Sequence, residues 1–257
     1  MYRRIIPAII LGCFCGPVSA FAIVNVEQAI IGPEKDGLHT HVEAAVDGAS
    51  GNTVKNSTKA EWLSQWKHGR NTEFLLLQYA YGRSNGQIDT NRAFAHLRHR
   101  TQVSDHWAVE GFTQAGRDPF ARVDLRTLLG AGLRWTLIEK AESSAVYLGL
   151  GAFYEHERLS PRAGTTDPLD SRLWRGNVYL VLKRQLNSQF RAYSTTYYQP
   201  ALRYPGDFRL LEQLAAVVVL YENLDLKLSL DVTHDSRPPQ GVKPTDVRYS
   251  TGVTIDF

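Results

Sequence analysis

The feature that most constrains the fold of this chain is a long alternation of apolar and polar residues. In 245–257, Tyr249 and Val253 belong to an apolar set that occupies every second position. The same period of two runs through 224–235 and 123–138, and it indicates β-strands whose two faces differ. Strands of globular proteins usually have about five or six residues. Runs of this length instead fit strands that cross a lipid bilayer at a tilt.

Twelve segments of this kind follow one another after residue 37, with connections that are alternately short and long. The predicted strands span residues 38–48, 56–68, 72–83, 89–103, 106–116, 123–138, 144–157, 172–186, 189–199, 206–221, 224–235 and 245–257. Short turns on one side and longer loops on the other are typical of transmembrane barrels. We therefore predict an all-β fold, a single antiparallel up-and-down β-barrel of about twelve strands, with ten or fourteen strands as alternatives.

The first 22 residues have the order of a secretory signal. Arg3 and Arg4 form a basic start, an apolar run covers 5–16, and small residues stand at Ala20 and Ala22. Cleavage is expected after Ala22. We predict a signal peptide at 1–22, a periplasmic N-terminal segment at 23–37 and a barrel domain at 38–257, located in the bacterial outer membrane. A lipoprotein signal at Cys13 is the alternative, although it leaves a very short apolar region.

Composition excludes several classes of function. Both cysteines, Cys13 and Cys15, lie in the predicted signal peptide, so the exported protein would have no disulfide and no thiol chemistry. The formal net charge is +3, and Arg3 and Arg4 supply two of the positive charges, which gives no argument for nucleic acid. We predict no cofactor, and as partners outer-membrane lipid and lipopolysaccharide.

A set of charged residues is predicted to line the lumen, because strand parity turns these side chains away from the apolar face. The candidates are His96, Arg98, Arg100, Arg126, Arg134, Lys227 and Asp231. One interpretation is a cationic stripe in a narrow pore that favours anions. The other is a network of ion pairs, with Asp124, Asp225 and Asp231 as the opposing charges, that braces a plugged barrel. A twelve-strand barrel lies between filled and open sizes, so strand number does not decide between them.

Two other polar groups contain residue types that can bind metals or catalyse hydrolysis. His39, His41 and Glu43 share one strand face and could hold a transition metal, but a polar lumen wall near the periplasmic mouth is the favoured explanation, and we predict no metal site. The run His234-Asp235-Ser236 cannot form a catalytic triad, because neighbouring strand residues point to opposite sides. We predict no catalytic residues. A hydrolase of lipid, lipopolysaccharide or peptide stays as the alternative function, and loop 158–171 as a weaker binding role.

The chain end carries a first resemblance. The alternating residues Tyr249, Val253, Ile255 and the terminal Phe257 resemble the assembly signal that the outer-membrane insertion machinery reads. That machinery is therefore a further predicted partner.

Longer stretches resemble the salt-induced outer-membrane protein family, a domain family of unknown function. They are 49–53, 79–86, 124–134 and 235–246, in the order that the family shows. The resemblance implies an outer-membrane barrel, with a structural or envelope-stress role or a narrow passive pore. It implies no catalytic residues.

Overall fold

The structure is a computed structural model that describes residues 36–50, 54–140, 144–221 and 224–255. The predicted signal peptide, most of the predicted N-terminal segment and Phe257 lie outside the described residues. Twelve strands account for most of the described residues. They are β1 Gly37–Ala49, β2 Lys55–His68, β3 Asn71–Ser84, β4 Gln87–Gln102, β5 Trp107–Asp118, β6 Val123–Lys140, β7 Ser144–Leu159, β8 Asp170–Gln185, β9 Phe190–Pro200, β10 Phe208–Tyr221, β11 Leu224–Asp235 and β12 Thr245–Ile255.

Each strand pairs antiparallel with the next, so that one sheet runs in sequence order from β1 to β12. The predicted twelve-strand up-and-down barrel is confirmed, and the strand bounds differ from the predicted ones by at most two residues. Among the described residues, no hydrogen-bonded ladder joins β12 back to β1. The curvature is nevertheless strong, because Tyr179 on β8 reaches Glu110 on β5 across the interior.

The polarity of the barrel is the reverse of that of a soluble protein. Its outer surface exposes large apolar side chains on every strand, among them Leu129 at 68% and Leu150 at 52% exposure. Its enclosed face buries arginine and glutamate, such as Arg98 and Glu155. This arrangement is expected of a strand sheet whose solvent is lipid. In the described part of the chain, no helix has the length and apolarity that a membrane span requires.

Outward-facing aromatic side chains mark two levels along the barrel. Trp107 and Trp135 stack at 5.3 Å between ring centroids, close to the end that carries the short turns, here called the short-turn end. Tyr154 and Trp174 pair at 5.5 Å near the opposite end, here called the long-loop end, and Tyr198 lies at a similar level beside Phe208. Aromatic belts at both levels are typical of the two interfaces of a membrane.

Candidate functional site in the barrel lumen

The structure places the predicted lumen residues on the enclosed face, but in two different environments. His96, Arg98, Arg100, Arg126 and Arg134 are each no more than 5% exposed. By contrast, Lys227 is exposed and Asp231 is half-buried. The lumen therefore has a packed part and an accessible part.

A central cluster of Arg98, Arg100, Glu110 and Tyr179 crosses the packed part. Arg100 Nε donates to Glu110 Oε1 at 2.7 Å, and Arg98 Nη1 lies 3.8 Å from the same oxygen. The Tyr179 hydroxyl donates to Glu110 Oε2 at 2.6 Å. Because buried charges are tolerated when they are paired and hydrogen-bonded, the carboxylate of Glu110 offsets part of the cost of burying the two guanidinium groups.

Aromatic rings fill the space around the central cluster. The guanidinium of Arg98 lies over the ring of Phe112 at 5.7 Å, and that of Arg100 over Phe74 at 5.1 Å. Arg134 lies 3.8 Å from the ring centroid of Tyr147. Such cation–π contacts favour arginine over rings in desolvated sites. The arginines of the predicted cationic stripe are thus packed between carboxylates and rings.

His96 is part of this packing. Its ring stacks between Phe94 and Phe112, at 6.4 and 6.2 Å between centroids. Its Nδ1 lies 3.4 Å from Gln114 Oε1. These neighbours are those of a packed lumen side chain.

A second, upper cluster lies nearer to the long-loop end. Its members are Arg126, Glu155, Glu157, Arg175 and Arg209, which come from β6, β7, β8 and β10. Glu155 accepts from Arg175 Nε at 3.1 Å and from Arg209 Nη1. Glu157 accepts from Arg126 Nε at 2.5 Å and from Arg209 Nη2 at 3.2 Å. Each glutamate therefore links strands that do not adjoin one another in the sheet.

Two further aspartates complete the charge balance of the upper cluster. Arg175 Nη1 donates to Asp207 Oδ1 at 2.9 Å, and Arg209 Nε donates to Asp235 Oδ2 at 3.0 Å. Two cavities that border Arg126 have volumes of about 20 and 10 Å³, roughly the space of one water molecule each. Neither cavity has room for a solute larger than water.

The acidic partners of the packed lumen were missed by sequence reasoning. It selected Asp124, Asp225 and Asp231 as opposing charges, whereas Glu110, Glu155 and Glu157 are the ones that meet the arginines. Asp124 instead pairs with exposed Arg158 at 3.6 Å. The other two aspartates have other partners: Asp225 accepts from Arg191 at 3.0 Å, and Asp231 accepts from Gln213 at 2.9 Å. Strand parity places Glu110, Glu155 and Glu157 on the same inward face as Phe112 and Phe153. Counting residues along β5 and β7 could therefore have identified them as lumen residues.

Two long loops close over the end of the packed lumen. We call the contact of Arg122, Asp167 and Gln240 the loop clasp. Arg122 Nη1 donates to Asp167 Oδ2 at 2.5 Å and to the Gln240 carbonyl at 3.0 Å. The backbone N–H of Gln240 donates to Asp167 Oδ1 at 3.1 Å. Arg122 follows a short 3-10 turn at Pro119–Ala121 and adopts a left-handed backbone, with φ of 60°, which directs its side chain under both loops.

The clasp favours the charged form of Asp167. The Arg122 guanidinium, which donates a hydrogen bond to Asp167, holds the pKa of that carboxyl below its usual range. The carboxylate therefore stays ionised to a lower pH than that of an ordinary aspartate. The contact joins 160–169, the loop after β7, to 236–244, the loop after β11.

The remaining sector of the enclosed face is polar and accessible. We call the inward side of β1, β11 and β12, together with the part of β2 near Lys59, the accessible sector. His41 and Lys227 are exposed there, and Lys59, Asp231 and Arg248 are half-buried. Both signs of charge are present, and the side chains contrast with the buried ones between β4 and β10.

His234, Asp235 and Ser236 each make a contact with a different partner. His234 Nδ1 lies 2.8 Å from Thr245 Oγ1, Asp235 binds Arg209, and the Ser236 hydroxyl donates to the Gly206 carbonyl. They do not meet as nucleophile, base and orienting acid. Within the described ranges, no group of three or more His, Cys, Asp or Glu side chains could hold a metal ion.

The residues of the predicted assembly signal can be placed only in part. Tyr249 and Val253 are exposed on the outer face of β12, at 81% and 39%. The side chain of Ile255 and the whole of Phe257 lie outside the described residues. Recognition by the insertion machinery stays a prediction.

A barrel with an apolar exterior, a charged interior and twelve meandering strands has the fold of an outer-membrane β-barrel protein. More particularly, the chain belongs to the family described as "Protein of unknown function, DUF481", whose model matches residues 42–257. That description names no salt response, so the salt-related part of the resemblance stays a prediction. No curated protein matches the sequence significantly.

Several solved outer-membrane barrels are similar in structure. The NanC porin shares 13% identity, covering 85% of this chain and 99% of that chain, with a TM-score of 0.48. The translocator domain of the autotransporter NalP from Neisseria meningitidis shares 14% identity, over 88% of this chain and 90% of that chain, with a TM-score of 0.46. The KdgM porin shares 10% identity, over 86% and 99%, with a TM-score of 0.41.

Proposed function

We propose that this protein is a narrow passive pore of the bacterial outer membrane, in which small solutes pass through the accessible sector. The observation that carries the proposal is the division of the lumen. Inward side chains of the central and upper clusters are at most 8% exposed, whereas those of β1, β11 and β12 are exposed or half-buried and polar. A polar strip beside a packed wall supports passage of water and small ions.

The packed wall limits what the pore would admit. The two clusters tie β4, β5 and β8 together at one level, and β6, β7, β8 and β10 at another. Moving those side chains would break buried ion pairs, which is costly. We therefore expect conductance well below that of an open porin and exclusion of large solutes.

Selectivity would come from the accessible sector. The three arginines of the upper cluster are offset by Glu155, Glu157, Asp207 and Asp235, so the net field of that cluster on a passing ion is small. Lys227 and Arg248 face the accessible sector together with Asp231. Because side chains of both charges line the same strip, we expect the pore to have only weak ion selectivity.

Conductance of the refolded protein in a planar bilayer tests the proposal, with heat-modifiable gel mobility as proof of folding. Small reproducible steps are expected. In a salt gradient, Lys227→Glu should shift the reversal potential in the direction of greater cation selectivity. The matched change Arg172→Glu, on the outward face, should leave the reversal potential unchanged. Folded protein without steps would overturn the pore and leave a braced structural barrel. Equal shifts for the two variants would place the ion path elsewhere.

A further inference from the structure

The outer face of the barrel carries a polar group at a level where lipid is expected. Glu212 on β10 lies on the outward side, because its neighbours Leu211 and Gln213 face inward with buried Thr195 and half-buried Asp231 across the ladder. The Ser194 hydroxyl donates to Glu212 Oε1 at 2.8 Å, and the Thr196 hydroxyl donates to Oε2. A carboxyl group on the lipid face of a barrel is unfavourable unless something polar meets it.

An apolar concavity begins beside this group. It has a volume of about 480 Å³, within the range of about 300–1,000 Å³ of small-molecule sites. Its floor is formed by the small outward residues Ala192, Ser194 and Ala216, leucines form most of its walls, and Arg184 borders it toward the short-turn end. The wall residues are Leu182, Leu214, Leu228 and Leu230.

The groove extends from Glu212 toward the centre of the bilayer. Thr196 lies two residues from Tyr198, which belongs to the aromatic level at the long-loop end, so Glu212 sits about 6.6 Å further along the strand toward the bilayer centre. Ala192 and Ala216 continue from Ser194 and Glu212 toward the short-turn end. The polar group thus stands just inside the interface, and the groove leads from it into the hydrocarbon layer.

The depth of Glu212 restricts the chemistry of an occupant. Just inside the interface, a lipid presents the groups that join its chains to its head. Ester linkages present only acceptors there, while amide N–H groups and chain hydroxyls are donors. Each carboxyl oxygen has two lone pairs, so each oxygen of Glu212 can accept another donor beside the serine or threonine hydroxyl.

From this arrangement we infer a specific lipid site on the outer face of β8 to β11. It takes one chain of a membrane lipid in the groove and binds the amide or hydroxyl donors of that chain at Glu212. The inference rests on the membrane location in the proposed function, but it does not depend on passage of solutes.

Native mass spectrometry of the refolded protein tests the site with two probe lipids. Sphingomyelin has amide and hydroxyl donors, and phosphatidylcholine has the same phosphocholine head but ester linkages. With chains of equal length, we expect about fivefold greater retention of sphingomyelin, as for one partly exposed charge-assisted contact. Equal retention of the two lipids would overturn the inference.

Three variants separate the donor contact from the groove. Glu212→Leu, which suits a lipid-facing position, should abolish the preference between the two lipids. Ala216→Phe should fill the groove and lower the retention of both. Val218→Phe places the same ring on the same outward row but outside the groove, so it should bind like the original protein. Equal losses for the two phenylalanine variants would overturn the site. A folded protein that retains sphingomyelin without conducting would overturn the pore alone.

Discussion

The hydroxyl of Tyr179 on β8 donates a hydrogen bond of 2.6 Å to Glu110 on β5, so that two strands on different walls are joined through the lumen. Glu110 is at the same time the partner of Arg100 at 2.7 Å. All three side chains are almost fully buried. This contact is part of the packed interior of the barrel, and its removal should lower the free energy of unfolding.

We expect Tyr179→Phe to lower the free energy of unfolding by about 1–3 kcal/mol, because a buried hydrogen bond to a charged group is lost while the ring is kept. Urea unfolding of the protein in lipid vesicles, followed by tryptophan fluorescence, measures it. The matched control is Tyr198→Phe on the outer face, which should have little effect. Similar losses for both variants would contradict the role of the cross-lumen bond.

Glu155→Gln should destabilise the barrel far more than a change in an exposed pair. Glu155 is the shared partner of Arg175 and Arg209, and removing one member of a buried ionic network typically costs about 3–5 kcal/mol. Asp124→Asn removes an ion pair whose side chains are 55% and 50% exposed, and such pairs contribute about 0–1 kcal/mol. The same unfolding assay compares them, and equal effects would show that the upper cluster does not brace the barrel.

Gly149→Ala should disturb the central cluster without changing a charge. A Cβ atom at Gly149 would overlap the ring of Tyr179, and overpacking of a tight interior costs about 1–3 kcal/mol. Gly111→Ala is the control, since a Cβ there meets nothing within 4 Å. We expect the first variant to unfold at lower urea and the second to match or exceed the parent. A neutral Gly149→Ala would mean that the ring of Tyr179 can move.

The loop clasp should open in acid. The pKa of Asp167 is lowered by its hydrogen bond from Arg122, so the contact stabilises the closed loops above the ordinary aspartate pKa of about 3.9. That stabilisation is lost as pH falls through the lowered value of the folded state. Spin labels on cysteines placed at Ala163 and Lys243 should report one short distance at pH 7 and a distribution that broadens progressively as the pH is lowered below about 4.

Asp167→Asn should give the broad distribution already at pH 7, because the charge that Arg122 binds is absent. The only cysteines of the chain are Cys13 and Cys15, so the labels report on the loops alone once the predicted signal peptide is left out. A short distance that persists in Asp167→Asn would show that the backbone contacts of Gln240 suffice to hold the loops together.

Strand parity accounts for most of what could be predicted about the lumen. Arg98, Arg100, Arg126 and Arg134 were placed inward by counting residues, because successive strand side chains point to opposite faces. Their partners could not be counted in the same way. Glu110 meets Tyr179 from three strands away, and the identity of that contact depends on barrel curvature, which no local pattern contains.

Lys227 illustrates the other limit. Parity gives it the same inward facing as Val217 across the ladder, yet Val217 is 6% exposed and Lys227 is open to solvent. Strand parity assigns all inward side chains to one enclosed face. Their exposure in the structure differs, because it depends on which side chains lie opposite them in the lumen.

The sequence by itself determined the strands, their order, their antiparallel pairing and the inside-out polarity. Each of these follows from short-range rules, namely a period of two, the length of a bilayer crossing and the spacing of turns. Tertiary structure alone decided which charges neutralise one another, that 160–169 and 236–244 close on Arg122, and that Glu212 stands beside a groove on the lipid face. Those features depend on distances between residues far apart in the chain, and such distances are fixed only when the sheet curls.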